Sequence, residues 1–406
     1  MEALNKEQIK PNDAQFYAIF VLFGLLLALA IRLLSMLFSR KMKKFIDLHL
    51  HLDGAITVDI AKKLAAIQKI ELPAKTDEEL EECLSVQPDC TSLFDFLKRF
   101  NLPLSLLQTK EGLSEAVRLV SDNIQSHGVL YAEIRFAPQL HQQKGMTQEE
   151  AVLAALDGLR KTTLKVNLIL CFMRGDGNMA ENYETLELAR KYLVKDGGVV
   201  ALDLAGAEAQ FKTSNYRDIF AKAKEYGIPF TIHAGEADGP ESVRDAIEFG
   251  AKRIGHGTRA YQDPSVVELI KSRGIFLEMC PTSNKQTFAV EDMSTYPFMD
   301  YLHNDIKVTL NTDDMGIERT TLPKEFEYME NKFGLTYNNS DIHHISIQII
   351  PNIWLFRKQF VILRSKTLKM MKRYRYPVTI EQGGNSSAAR PQSELKEIIY
   401  CEQNEN

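Results

Sequence analysis

Two histidines two residues apart, His49 and His51, lie in the apolar run "DLHLHLDG", and Asp53 follows them. Side chains at i and i+2 of a strand share a face, so both imidazoles point the same way. Histidine is the commonest nitrogen ligand for zinc. A single buried histidine is ordinarily a core residue. A pair on one face with an acid beside it favours a metal. Further along, "HAGE" supplies His233 and Glu236, "IGHG" supplies His256 between two glycines, and "NTDD" supplies Asp313 and Asp314. Taken singly, His256 reads as a core or capping residue and the aspartates as an N-cap pair. Together they hold the donors a catalytic zinc site needs, three or four protein ligands with one position open. His49, His51, His233 and Asp313 offer three nitrogens and one oxygen. Water on such a metal ionises near pH ~7 instead of ~16. His256 is then free to orient that water or take its proton. Glu236 remains as a proton donor to the substrate.

These residues sit at the ends of eight short β-rich runs: "KFIDLHL", "VLYAEIRFAP", "VNLILCFM", "VVALDLAG", "PFTIHAG", "RIGHG", "IFLEMCP" and "KVTLNTD". Most are near-continuous apolar stretches, as strands buried on both faces are. Amphipathic segments such as "AENYETLELARKYL", "YRDIFAKAKEY", "ESVRDAIEFG" and "PSVVELIKSR" lie between them. Eight strand–helix units predict an α/β fold, a (β/α)8 TIM barrel, with a doubly wound open sheet as the alternative. In a barrel all C-terminal strand ends face one mouth, so residues far apart in sequence meet. The long helical stretch Ile56 to His127 predicts an insertion after strand 1, placed as a lid over the mouth or as extra packing. "RGDGNMA" matches a dinucleotide signature after a strand, but nothing else supports that reading, and it is taken as a strand-end loop.

The chain has 406 residues, 45% hydrophobic and 25% charged, which is ordinary globular composition. A net charge of -5 argues against a nucleic-acid partner. Five cysteines, odd in number and without a CxxC pair, suit a reducing compartment. From Gln15 to Ile31 there is no charge, and "RKMKK" follows from Arg40. This predicts an N-terminal hydrophobic helix, a candidate membrane span over residues 16–38 with its C-terminal side cytoplasmic. A chain that starts at Met42 would instead be soluble and cytoplasmic. Three parts are therefore expected: 1–41 with the span, a catalytic barrel over 42–338, and a tail over 339–406. From Ile342 to Ile380 the tail has no acid and eight bases, and "EQGGNSSAARPQSE" after it reads as disorder. No protein partner is predicted.

"HLHLDG", "LDLAGAE", "TIHAGE", "RIGHGT", "CPTSN" and "LNTDD" resemble the motif series of the adenosine deaminase family, in the same order. The resemblance covers about Met42 to Asn338. It implies a (β/α)8 barrel with one zinc at its mouth, held by His49, His51, His233 and Asp313. It further implies Glu236 as proton donor to purine N1 and His256 as the residue that orients the attacking hydroxide. Asp314 would face purine N7, the Gly206 backbone would face N3, and Asp53 would meet the ribose 5′-hydroxyl, with His51 also bordering the substrate. The implied reaction is hydrolytic deamination of adenosine and 2′-deoxyadenosine to inosine and 2′-deoxyinosine. Asp53 bears on the choice of substrate: relatives acting on free adenine tend to carry Glu there, and relatives acting on N6-methyl-AMP tend to carry Asn. Adenine deamination and a membrane-tethered, non-catalytic nucleoside-binding protein are the competing expectations. The family normally closes with an acidic, Ala-rich helix, and the basic tail departs from that pattern.

Overall fold

All eight apolar runs form strands in the computed structural model, which describes residues 44–87, 96 and 98–335. They are β1 Phe45–His51, β2 Val129–Phe136, β3 Lys165–Met173, β4 Val199–Ala205, β5 Thr231–Ala234, β6 Arg253–His256, β7 Phe276–Met279 and β8 Lys307–Leu310. Every pairing is parallel, in the orders β1-β2-β3-β4 and β5-β6-β7-β8. Sequential order without a reversal leaves no switch point, so the doubly wound alternative is set aside. Two seams join the sheets. At one, Leu202 N donates to Pro229 O at 2.9 Å. At the other, Asp313 N donates to His49 O at 2.8 Å and His51 N donates to Asp313 O at 3.0 Å. This parallel α/β architecture is consistent with a (β/α)8 barrel.

The helices start and stop where local chemistry dictates. Pro264–Arg273 begins with proline at its first position, is capped by Asp263 through Ser265 N, and ends at Gly274 in the left-handed region. Gln148–Lys161 opens with a Thr147–Glu150 capping box. Apolar helix faces pack on the outer faces of the strands. Phe220, fully buried, meets Phe172, Phe230 and Phe249 with ring centroids 4.8–5.9 Å apart. Each such side chain contributes roughly 1.5–3 kcal/mol through burial.

The stretch between β1 and β2 holds helices Val58–Gln68, Asp77–Leu84, Asn101–Leu106 and Lys110–Ser126. Phe96, Phe100 and Leu104 from it reach the cavity at the strand ends, so this insertion serves the mouth as well as packing. Of "RGDGNMA", Arg174–Asn178 form the turn after β3, and Met179 and Ala180 open the helix Met179–Tyr192. The candidate span over 16–38 and the tail over 339–406 lie outside the described residues. Among the described residues no helix is long and apolar enough to cross a membrane.

Candidate active site

β1 delivers His49 and His51 on one face, β5 delivers His233, and the chain just past β8 delivers Asp313. Four atoms converge. His233 Nε2 lies 3.1 Å from both His49 Nε2 and His51 Nε2. Asp313 Oδ1 lies 3.3 Å from His49 Nε2 and 3.4 Å from His51 Nε2. Donors that bind zinc at about 2.0–2.1 Å stand a little over about 3 Å from one another, so the donor set fits that ion. The tautomers point the same way. His49 Nδ1 is 2.8 Å from Glu278 Oε2, and His233 Nδ1 is 2.9 Å from Asp203 Oδ2. A carboxylate thus stands behind each ring at Nδ1, and the Nε2 atoms face one another. Burial and Arg135 oppose protonation of His49, yet Asp313 and Glu278 push its pKa up to about 9, a measure of how negative the field is here.

Beneath the histidines lies a buried layer of charged residues carried by the strands. Arg135, fully buried, donates to Asp203 Oδ2 and Glu278 Oε2 at 2.8 Å each and to Leu48 O at 2.6 Å. Arg253 binds Glu278 and Glu133. Burial opposes ionisation of Glu278 and Asp203. Arg253 and Arg135 nevertheless hold Glu278, and His233 and Arg135 hold Asp203, well below the usual carboxylate range. One guanidinium thus fixes both carboxylates that fix two of the candidate ligands. Gly255 explains one of the glycines flanking His256: a Cβ there would stand 2.9 Å from His49 Cε1 and 3.2 Å from His233 Cα.

Around this cluster stand the groups suited to proton transfer. Burial first, then the charges of Asp313 and Glu208, push the Glu236 pKa up to about 8, so its carboxyl is protonated at neutral pH. Burial holds His256 well below its usual range and therefore neutral. Asn284 Nδ2 donates to His256 Nδ1 at 2.9 Å, while Tyr296 donates to Asn284 Oδ1 at 3.0 Å. The His256 proton therefore sits on Nε2, which faces Glu236 Oε2 at 3.5 Å and Asp313 Oδ2 at 3.7 Å. His256 and Asp313 both adopt left-handed backbone, with φ of 63° and 61°. Such conformations cost about 1–3 kcal/mol each in a non-glycine residue and cluster at functional sites.

A cavity of about 340 Å³ opens above these groups. It is lined by His51, Asp53, His233, Glu236, His256, Asp313, Asp314 and Gly206, with Ala137, Leu140 and Met173 among its apolar walls. Every site residue named from the sequence borders it except His49, which lies fully buried beneath. Asp53 is pushed up to about 6 by burial and by Asp313. In the Asp313–Asp314 pair, Asp313 is ionised, held down by His49, while burial and its neighbour's charge raise Asp314 well above the carboxylate range. Asp314 packs against Gly54, where a Cβ would fall 1.8 Å from its Oδ1. Gly206 has φ +103°, open to glycine at little cost.

The sequence model of the family described as Adenosine deaminase matches residues 45–369. The chain belongs to the adenosine deaminase family. The match runs past Asn338, where the motif resemblance ended. A protein named adenosine deaminase from Haemophilus ducreyi (strain 35000HP / ATCC 700724) is 47% identical over 301 residues, 73% of this chain and 88% of that protein. A second, from Clostridium botulinum (strain 657 / Type Ba4), is 41% identical over 296 residues, 72% of this chain and 88% of that protein. Among solved structures, an adenine deaminase from Arthrobacter aurescens superposes with a TM-score of 0.69 at 24% identity, covering 80% of this chain and 98% of that one. The apo N6-methyl-AMP deaminase from Arabidopsis thaliana gives 0.67 at 24% identity, covering 82% and 98%. At that identity these two structures speak to the fold alone.

Sequence reading passed over Arg135, Asp203, Glu278, Asn284 and Glu208. Asp203 and Glu278 are the lone charges of β4 and β7, and Arg135 shares β2 with Glu133, but the sequence does not say which of these charges face one another.

Proposed function

We propose that this chain hydrolyses adenosine and 2′-deoxyadenosine to inosine and 2′-deoxyinosine with release of ammonia. The observation that carries the reading is the convergence of His49, His51, His233 and Asp313 on one point beside a protonated Glu236. We read the two sheets as one closed (β/α)8 barrel with this point at its mouth. A zinc ion held by those four residues would supply Lewis acidity and make water a nucleophile at neutral pH.

The chain's own groups account for the rest. Glu236 gives its proton to purine N1, which makes C6 electrophilic, and water adds there. One water proton passes to the C6 amino group, and the C6–N bond breaks to release ammonia. The other proton returns to Glu236, so that inosine keeps the hydrogen on N1. His256, neutral and protonated on Nε2, donates a hydrogen bond that orients the attacking oxygen. Asp314, protonated by its burial beside Asp313, donates to the N7 acceptor. The Gly206 amide faces N3. Asp53 and His51 border the ribose, and Asp53 takes the 5′-hydroxyl. A carboxylate at that position repels a 5′-phosphate, so the nucleoside is preferred to AMP. Apolar walls from the β1–β2 insertion exclude water from the ring.

Steady-state ammonia release from adenosine, adenine and AMP tests the reading. Adenosine should exceed both by at least about tenfold in kcat/KM, a margin of about 1.4 kcal/mol. A preference for adenine would overturn the choice of substrate, and zinc absent from the active protein would overturn the metal. We also place the catalytic segment in the cytoplasm, tethered through residues 16–38 when the chain is made from Met1. Retention of that protein in membranes washed at alkaline pH would support the tether, and its release would refute it.

A further inference from the structure

Glu208 belongs to none of the roles above. It follows Gly206 by two residues in the loop after β4 and is 3% exposed. Its carboxylate accepts from four successive amides of the loop after β5. Gly235 N donates to Oε1 at 2.7 Å. Glu236 N, Ala237 N and Asp238 N donate to Oε2 at 3.0, 2.7 and 3.1 Å. The Ser242 hydroxyl, at the start of the helix Pro240–Phe249, donates to Oε1 as well. Among the described residues no basic side chain pairs with Glu208 within 4.0 Å, so amides and a hydroxyl hold its charge.

This loop carries Glu236. The chain leaves β5 at Ala234 and turns at Gly235, whose φ is +71° and where a Cβ would meet Val243 at 2.6 Å. Successive amides aimed at one point form a nest, and a nest keeps its shape when an anion fills it. Here the anion comes from the neighbouring strand's loop. Arg174 adds a second tie, donating to His233 O at 2.6 Å and to Thr213, whose hydroxyl meets Ser242.

We propose that Glu208 is the positioning residue for Glu236: its carboxylate clamps the Gly235–Asp238 amides and so holds the proton donor in register with the Gly206 loop two residues away. The inference rests on the deaminase reading, in which Glu236 delivers the proton to the ring. Misplacing a catalytic group by about 1 Å costs about 100-fold in rate.

Glu208→Gln in the full zinc-loaded chain tests the clamp, because the amide keeps the size but turns N–H groups toward N–H groups. We expect kcat to fall about 100-fold with KM for adenosine within about threefold and zinc content unchanged. In a Glu236→Gln background the same substitution should cost less than about threefold, since the group it positions is already disabled. Amide exchange at residues 235–238 should speed up by at least about tenfold while residues 231–234 keep their protection. An equal loss in both backgrounds, a loss that tracks missing zinc, or unchanged exchange at 235–238 would each overturn the proposal. Should Glu208→Gln fail to fold, Glu208→Asp, with its shorter reach, is read by the same three measurements. If the unsubstituted chain releases no ammonia from adenosine, the deaminase reading fails, and the exchange measurement alone decides the clamp.

Discussion

At the scale of single residues, the site is a set of identical side-chain types given different tasks by their surroundings. Glu236 and Glu278 are both buried glutamates. One has acidic neighbours and keeps its proton to about pH 8, while the other faces two guanidinium groups and stays ionised. Glu236→Gln should therefore lower turnover by about 10²–10⁴-fold with zinc content unchanged, measured by metal analysis beside steady-state kinetics. Turnover retained in that variant would remove Glu236 from its role. His49→Ala should instead lose the metal. Gly255→Ala presents a different failure, since its methyl would press on the His49 ring and the His233 backbone. Loss of at least about tenfold in zinc affinity is expected there, with the fold otherwise kept.

At the scale of elements, what matters is which strand end carries each group. β1, β5 and the segment past β8 bring the four candidate ligands together, and the seam between β8 and β1 is made by the backbones of His49, His51 and Asp313 themselves. The backbone hydrogen bonds that join β1 to the segment past β8 and the placement of three candidate ligands thus rest on the same residues. The carboxylates of β4 and β7 then orient two of the imidazoles from below, tied together by Arg135 of β2. Asp203→Asn should weaken zinc binding about 10–100-fold, because the His233 ring loses the acceptor that fixes its tautomer. Competition against a chelator measures this directly, and unchanged affinity would show that His233 needs no such support. The strands and most of the helices were legible as apolar runs and amphipathic stretches. Asp203, Glu278 and Arg135 were not, because a charge inside an apolar strand gains meaning only from the charges opposite it. Nor was the left-handed backbone of His256 and Asp313, which neither residue type announces.

Taken as a whole, the molecule buries an acid outside its candidate metal ligands as well. Glu325, in the helix Leu322–Phe333, accepts from Thr282 N and from the Thr320 hydroxyl. Burial pushes its pKa up to about 7 from the ordinary 4.5. The folded chain therefore keeps a proton that the unfolded chain loses, and stability from this group is full below about pH 4.5 and declines as pH rises through about 7. The loss is on the order of 1–3 kcal/mol. Urea denaturation at pH 5 and pH 8 should show a smaller difference for Glu325→Gln than for the unsubstituted chain. An identical difference would mean the carboxyl is hydrated or paired in the folded state.

The amino-acid sequence by itself determined the eight strands, the helices between them and the residue types at the strand ends. Those follow from local periodicity, capping residues and side-chain chemistry, all of which act over a few neighbouring positions. Tertiary structure alone decided that His49 and Asp313 meet, that Glu236 keeps a proton while Asp313 beside it does not, and that Glu208 reaches across to the next loop. These depend on distances, burial and fields between segments as far apart in sequence as His49 and Asp313, and such quantities exist only once the strands have assembled.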